Sequence, residues 1–131
     1  MVSNSNFKFG FVDNDFLIAK FAFTEGQVSE IVVGRDSKAQ IRIEKAEISG
    51  LHLQLIFDGS SRLYLVDLGS TNGTFINGTR ISPGVQTLIS SKDVVSLAQV
   101  NGIRLVFNPD FYQSPKVNAE LSSKQQFALA D

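Results

Sequence analysis

The chain has 131 residues, 43% of them hydrophobic, with a formal net charge of −1 and no cysteine. That describes one domain with an ordinary globular core. It excludes a disulfide framework, thiolate metal sites and the basic footprint expected of a duplex or RNA binder. No apolar run approaches the roughly 18–20 residues that span a bilayer, and Met1 to Asn6 lacks the basic-then-apolar pattern of a signal peptide. The expected setting is therefore cytoplasmic, with the nucleus left open and no membrane insertion.

Residues 1–15 form an N-terminal arm in which Phe7, Phe9 and Phe11 alternate with Asn6, Lys8 and Gly10; the arm adds a strand or lies on the domain. Phe16 to Phe23 and Val28 to Val33 read as strands separated by a polar Thr-Glu-Gly-Gln turn. Gln40 to Ile43 is a short third strand. Leu51 to Phe57 follows, with Leu51, Leu53, Leu55 and Phe57 on one face and His52, Gln54 and Ile56 on the other. Asp58 to Ser61 is a hairpin turn, and Leu63 to Leu68 returns. Phe75 to Ile81 is a compact hairpin whose Asn77-Gly78 pair suits a type I′ turn. Val85 to Ile89, Val94 to Ala98 and Ile103 to Phe107 complete the set. Many short strands at near-regular spacing, without helical periodicity, indicate an all-β sandwich of two mainly antiparallel sheets, about eleven strands in all. Beyond Asn108, residues 109–131 turn polar and form a tail, with a weak helix over 119–130 or no fixed structure.

Three polar loops interrupt this strand pattern: Gly34-Arg35, Ser49-Gly50-Leu51-His52, and Asp67 to Gly78 with its hydroxyls and two Asn-Gly turns. Together they suggest a binding surface rather than a catalytic pocket. Their order and spacing resemble the forkhead-associated (FHA) domain over roughly residues 16–108. The resemblance implies an eleven-stranded sandwich whose loops at one end read phosphothreonine in an extended peptide. Departures from the family pattern are Gly50, where Arg, Lys or Asn is frequent, and Leu53, Lys92 and Ala98 on the scaffold.

A phosphothreonine carries about −1.5 to −2 charges and three strong acceptor oxygens. A competent site needs a fixed cation and several neutral donors. Arg35 offers a planar guanidinium that pairs bidentately with phosphate, and the resemblance makes it the principal phosphate ligand. Ser49 supplies a hydroxyl, Gly50 an unshielded N–H, and Thr71 a further phosphate donor. Asn72 is expected on the peptide backbone, and Glu47 beside the third residue after phosphothreonine, where it disfavours Asp. Gly34, His52, Ser70, Gly73, Asn77 and Gly78 are expected to support the loops. On an extended chain Ser49 and His52 would point to opposite faces, which leaves no Ser–His–Asp arrangement with Asp67.

The function expected is a phosphothreonine-dependent protein-interaction module, with no catalysis, cofactor or metal. Its partner would be a threonine-phosphorylated protein, the substrate of a Ser/Thr kinase. The alternative is a phosphate-independent FHA scaffold or oligomerisation domain, self-association being left open.

Overall fold

The computed structural model describes residues 6–111, and the helix considered for 119–130 lies outside them. Eleven strands follow in chain order. They are β1 (Asn6–Asp13), β2 (Phe16–Thr24), β3 (Ser29–Gly34), β4 (Ile41–Arg42), β5 (Leu53–Phe57) and β6 (Leu63–Asp67), then β7 (Thr74–Ile76), β8 (Thr79–Arg80), β9 (Thr87–Ile89), β10 (Val95–Leu97) and β11 (Ile103–Phe107). A single 3-10 turn, Pro109–Phe111, closes the described chain. One sheet has the order β2-β1-β11-β10-β7-β8, the other β4-β3-β5-β6-β9. All their pairs are antiparallel except β3–β4. This is the all-β sandwich that the strand pattern indicates. Among the described residues no helix is long and apolar enough to cross a membrane.

Period-2 patterning sets which side chains meet between the sheets. In β5 and β6, Leu53, Leu55, Phe57, Leu63 and Leu65 are all buried, and the register Leu55↔Leu65, Phe57↔Leu63 stacks them face to face. Phe23 of β2 stacks on Phe57 of β5 at a centroid distance of 5.1 Å, joining the two sheets. In β1, Phe11 and Val12 are adjacent yet both fully buried. The register against β2 shifts between them, and such a bulge turns two consecutive side chains inward.

Strands β4, β5, β6, β9 and β10 are each shorter than the sequence suggests, and one face assignment changes. Leu51 precedes β5 and is 46% exposed, whereas His52 is fully buried. The chain has not yet become extended there, so alternation does not apply to these two residues.

The registers also define two poles. Leu97 pairs with both Thr74 and Ile103, so the start of β11 lies at the same pole as the start of β7. Phe9↔Phe107 and Asn6↔Thr24 lie toward the other pole. The β3–β4, β4–β5 and β6–β7 loops emerge at the first.

Candidate ligand-recognition site

Gly34 ends β3 where a Cβ would run into the carbonyl oxygen of Gly50, so only glycine allows the two loops to approach this closely. The approach is fixed by three backbone bonds: Arg35 N–H to Ser49 O (2.9 Å), Asp36 N–H to Gly50 O (3.0 Å) and His52 N–H to Val33 O (2.8 Å). Arg35 is exposed, and its Nε donates to the carbonyl of Ile48 at 2.9 Å. That single bond orients the guanidinium. Its two Nη groups have no hydrogen-bond or ion-pair partner among the described residues.

Ser49 is held from both sides. Its Oγ accepts the N–H of Thr71 at 2.9 Å, which leaves the hydroxyl proton free to donate outward. Its own N–H donates to Nδ1 of His52 at 3.1 Å. Ser49 and His52 therefore meet through main chain and ring, while the Ser49 hydroxyl is taken up with Thr71 and makes no bond to the imidazole. The ring's Nε2 lies 2.9 Å from the carbonyl of Gly73. A backbone N–H can only donate and a carbonyl can only accept, so His52 is neutral with its proton on Nε2. Burial pushes the His52 pKa below its usual value, outweighing the raising effects of the Gly73 carbonyl and of Asp67. His52 ties the Ser49 loop to the Gly73 loop.

Asp67 organises the third loop. Its Oδ1 accepts the hydroxyls of Ser70 (2.6 Å) and Thr74 (2.7 Å), and its Oδ2 accepts the N–H groups of Gly69 (2.9 Å) and Ser70 (3.0 Å). Burial alone would raise this carboxyl, but the four donors outweigh it and hold the pKa below the usual value. Ser70 Oγ in turn accepts Gly73 N–H at 3.0 Å, with Gly73 at φ +93°. Ser70 and Gly73 are buried loop supports, whereas Thr71 and Asn72 at the tip are exposed.

Asn72 Nδ2 donates to the Glu47 carbonyl at 2.8 Å, clasping the second and third loops, and the Glu47 side chain is exposed beside it. Asn77 and Gly78, both at positive φ, form the β7–β8 turn. Asn77 braces the Ser90–Val94 loop, donating to Asp93 Oδ1 at 3.0 Å and accepting Val94 N–H at 2.9 Å. The turn reaches the recognition loops indirectly, through the two strands that it joins.

Two residues that matter here were not singled out as site residues by sequence reasoning. One is Asp67, whose role is signalled by the Asp-x-x-Ser spacing of a side-chain-capped turn. The other is Arg80, which pairs with Phe75 across the two-residue hairpin and so comes beside Gly73. Its Nη2 donates to the carbonyls of Ser70 and Thr71, both at 3.3 Å, and its Nε would lie 2.6 Å from a Cβ on Gly73. The hairpin register was the available signal.

Arg35, Ser49, Gly50 and Thr71 thus converge at one pole. The Gly50 N–H has no acceptor among the described residues. Free guanidinium N–H groups, hydroxyls and this N–H can bind an oxyanion. Among the described residues no cluster of three His, Cys, Asp or Glu side chains could hold a metal ion.

A family model described as FHA domain matches residues 31–98. An FHA domain-containing protein of Arabidopsis thaliana is 34% identical over 90 residues, covering 68% of this chain and 23% of that protein. The matched segments span less than a quarter of each curated relative. The crystal structure of the FHA domain of the CT664 protein from Chlamydia trachomatis superposes with a TM-score of 0.63 at 27% identity, covering 79% of this chain and 96% of that one. The MEK1 FHA domain in complex with a HOP1 phosphothreonine peptide has the same fold, with a TM-score of 0.55 at 24% identity over 76% of this chain and 96% of that one.

Proposed function

The chain belongs to the FHA domain family, and on that premise we propose that its loop pole binds a phosphothreonine-containing segment of a partner protein. One observation carries the reading: the Arg35 guanidinium is oriented by a single bond to Ile48 O and keeps both Nη groups free beside Ser49. Solved relatives of the same fold bind phosphothreonine peptides. In this reading Arg35 takes two phosphate oxygens, and Ser49 Oγ, Thr71 Oγ1 and Gly50 N–H take the rest. Asn72 holds the peptide backbone through the amide oxygen left free by its bond to Glu47. Glu47 disfavours an acidic residue in the third position after the phosphothreonine.

The partner is a protein phosphorylated on threonine by a Ser/Thr kinase, and the domain performs no chemistry on it. Each charge-assisted bond contributes roughly 1.5–3 kcal/mol before ordering costs. A short peptide on loops then binds near micromolar, about −8 kcal/mol. One observation favours a phosphate-independent scaffold instead: Gly50 brings no side chain to the anion.

The test is a phosphothreonine peptide library read with wild type and Arg35→Ala side by side. Arg35 is exposed and outside the core, so the variant folds normally. Its phosphate-dependent binding falls by about 3 kcal/mol, on the order of 100-fold. Equal binding of phosphorylated and unphosphorylated peptides by wild type would establish the scaffold reading in its place.

A further inference from the structure

The local charge beside Arg35 points to what accompanies the phosphate. Asp36 follows Arg35 at the same turn and is exposed. Its N–H is tied to Gly50 O at 3.0 Å, and its Oδ1 accepts the Lys38 N–H at 2.9 Å. The carboxylate therefore has a fixed position. Its Oδ2 accepts no hydrogen bond and joins no ion pair among the described residues. It stands where a side chain on residue 50 would go: a Cβ there would meet Asp36 Cβ at 3.7 Å and Oδ2 at 3.8 Å, both ordinary contacts. Nothing in the packing forbids a side chain at 50. The loop presents an open space with a carboxylate on its wall, next to the cation that orients the anion.

We propose that Asp36, across the open side of Gly50, is a specificity-determining residue that takes a lysine or arginine of the phosphorylated segment. This rests on the phosphothreonine reading of the same pole. A doubly charged phosphate brought beside an unpaired carboxylate is repelled by it, and one guanidinium neutralises only part of the combined charge. A ligand cation in the space over Gly50 satisfies both anions at once. It also costs the protein no ordering of a long side chain of its own. A segment with an acidic residue at that position places three negative groups together and is rejected.

The experiment scans each position flanking the phosphothreonine with Lys, Arg, Ala and Asp, against wild type, Arg35→Ala, Asp36→Asn and Glu47→Gln, at low and high salt. Asparagine keeps an oxygen for the Lys38 N–H, so Asp36→Asn preserves the turn. Wild type is expected to favour Lys or Arg over Ala by about 3- to 10-fold at one position, the preference shrinking with salt. Asp36→Asn reduces it to less than about 2-fold there and binds the Ala peptide at least as well as wild type, while Glu47→Gln leaves that position unchanged. A preference that is absent in wild type, or survives in Asp36→Asn, overturns the inference while Arg35-dependent binding still upholds the reading beneath it. Loss of all phosphate-dependent binding in wild type overturns both.

Discussion

The backbone N–H of Ser49 donates to Nδ1 of His52 at 3.1 Å, so the ring must carry its proton on Nε2, where Gly73 O accepts it. A protonated ring would turn a donor toward the Ser49 N–H and break the link between the loops. The folded pKa is lowered from 6.5, so below that value the unfolded chain takes up the proton before the folded one does. The stability contributed is full above about pH 6.5 and is lost as pH falls through the folded value. Denaturant melts across this range should show the slope in wild type and none in His52→Ala. That variant unpairs two buried groups and leaves a cavity, at a cost of about 3 kcal/mol.

Asp67 titrates in a lower window. Its folded pKa is depressed from 3.8 by its four donors. Its contribution is therefore intact above that value and disappears as pH falls through the folded one. Asp67→Ala strands two hydroxyls and two N–H groups in a buried setting and should cost about 3–5 kcal/mol. Thermal unfolding at neutral pH measures the cost, and its attenuation in acid identifies the carboxylate as the cause.

Gly34 and Gly50 face one another and should respond in opposite ways. Gly34→Ala forces the β3–β4 and β4–β5 loops apart and should cost about 3 kcal/mol or more, with loss of peptide binding. Gly50→Ala meets only ordinary contacts and should lie within about 0.5 kcal/mol of wild type. Gly50→Lys should fold and raise affinity for a phosphothreonine peptide lacking basic residues by several-fold. Isothermal titration with the three variants separates these outcomes.

Arg80 holds Ser70 O and Thr71 O and covers Gly73 without facing the ligand. Both bonds are long and partly in solvent, so Arg80→Ala should cost only about 1 kcal/mol of stability. The loosened Thr71 should nonetheless weaken phosphopeptide binding about 5-fold, chiefly by faster release. Arg80→Lys should not restore it, because an ammonium lacks the planar fork. Dissociation rates measured alongside melting temperatures check both halves.

Asn77→Ala offers a contrast at the other pole, where β7 ends. It removes the bonds to Asp93 and Val94 and leaves at φ 53° a residue without the polar side chain that lets asparagine adopt the left-handed region. A stability loss of about 1–2 kcal/mol is expected, with peptide affinity nearly unchanged. Affinity falling as steeply as stability would show that the turn reaches the recognition loops more directly than its bonds indicate.

The sandwich was legible because inward positions of paired strands must be apolar. Leu53, Leu55 and Phe57 against Leu63 and Leu65 left no other period available. The three polar loops were legible from their residue types alone. Local alternation failed at Leu51 and His52, where a buried imidazole displaced a leucine because it could bond two main-chain groups across loops 21 residues apart. Periodicity carries no information about such a bond. Arg80 and the Asp36 carboxylate escaped notice for a related reason. Their roles depend on which neighbour a turn brings near, and that follows from register and loop approach rather than from order along the chain.

Asn6 and Phe107 lie toward the pole opposite the recognition loops, close enough that Asn108 N–H donates to Lys8 O at 3.0 Å. A tag, a surface anchor or a neighbouring domain joined there would be set back from the loops by the length of the intervening strand, about 13–17 Å along the five residues of β11 and about 23–27 Å along the eight of β1. Such attachments would leave Arg35 and Asp36 facing open solvent. Oriented immobilisation through either place should therefore present every copy of the domain with its ligand-facing surface outward.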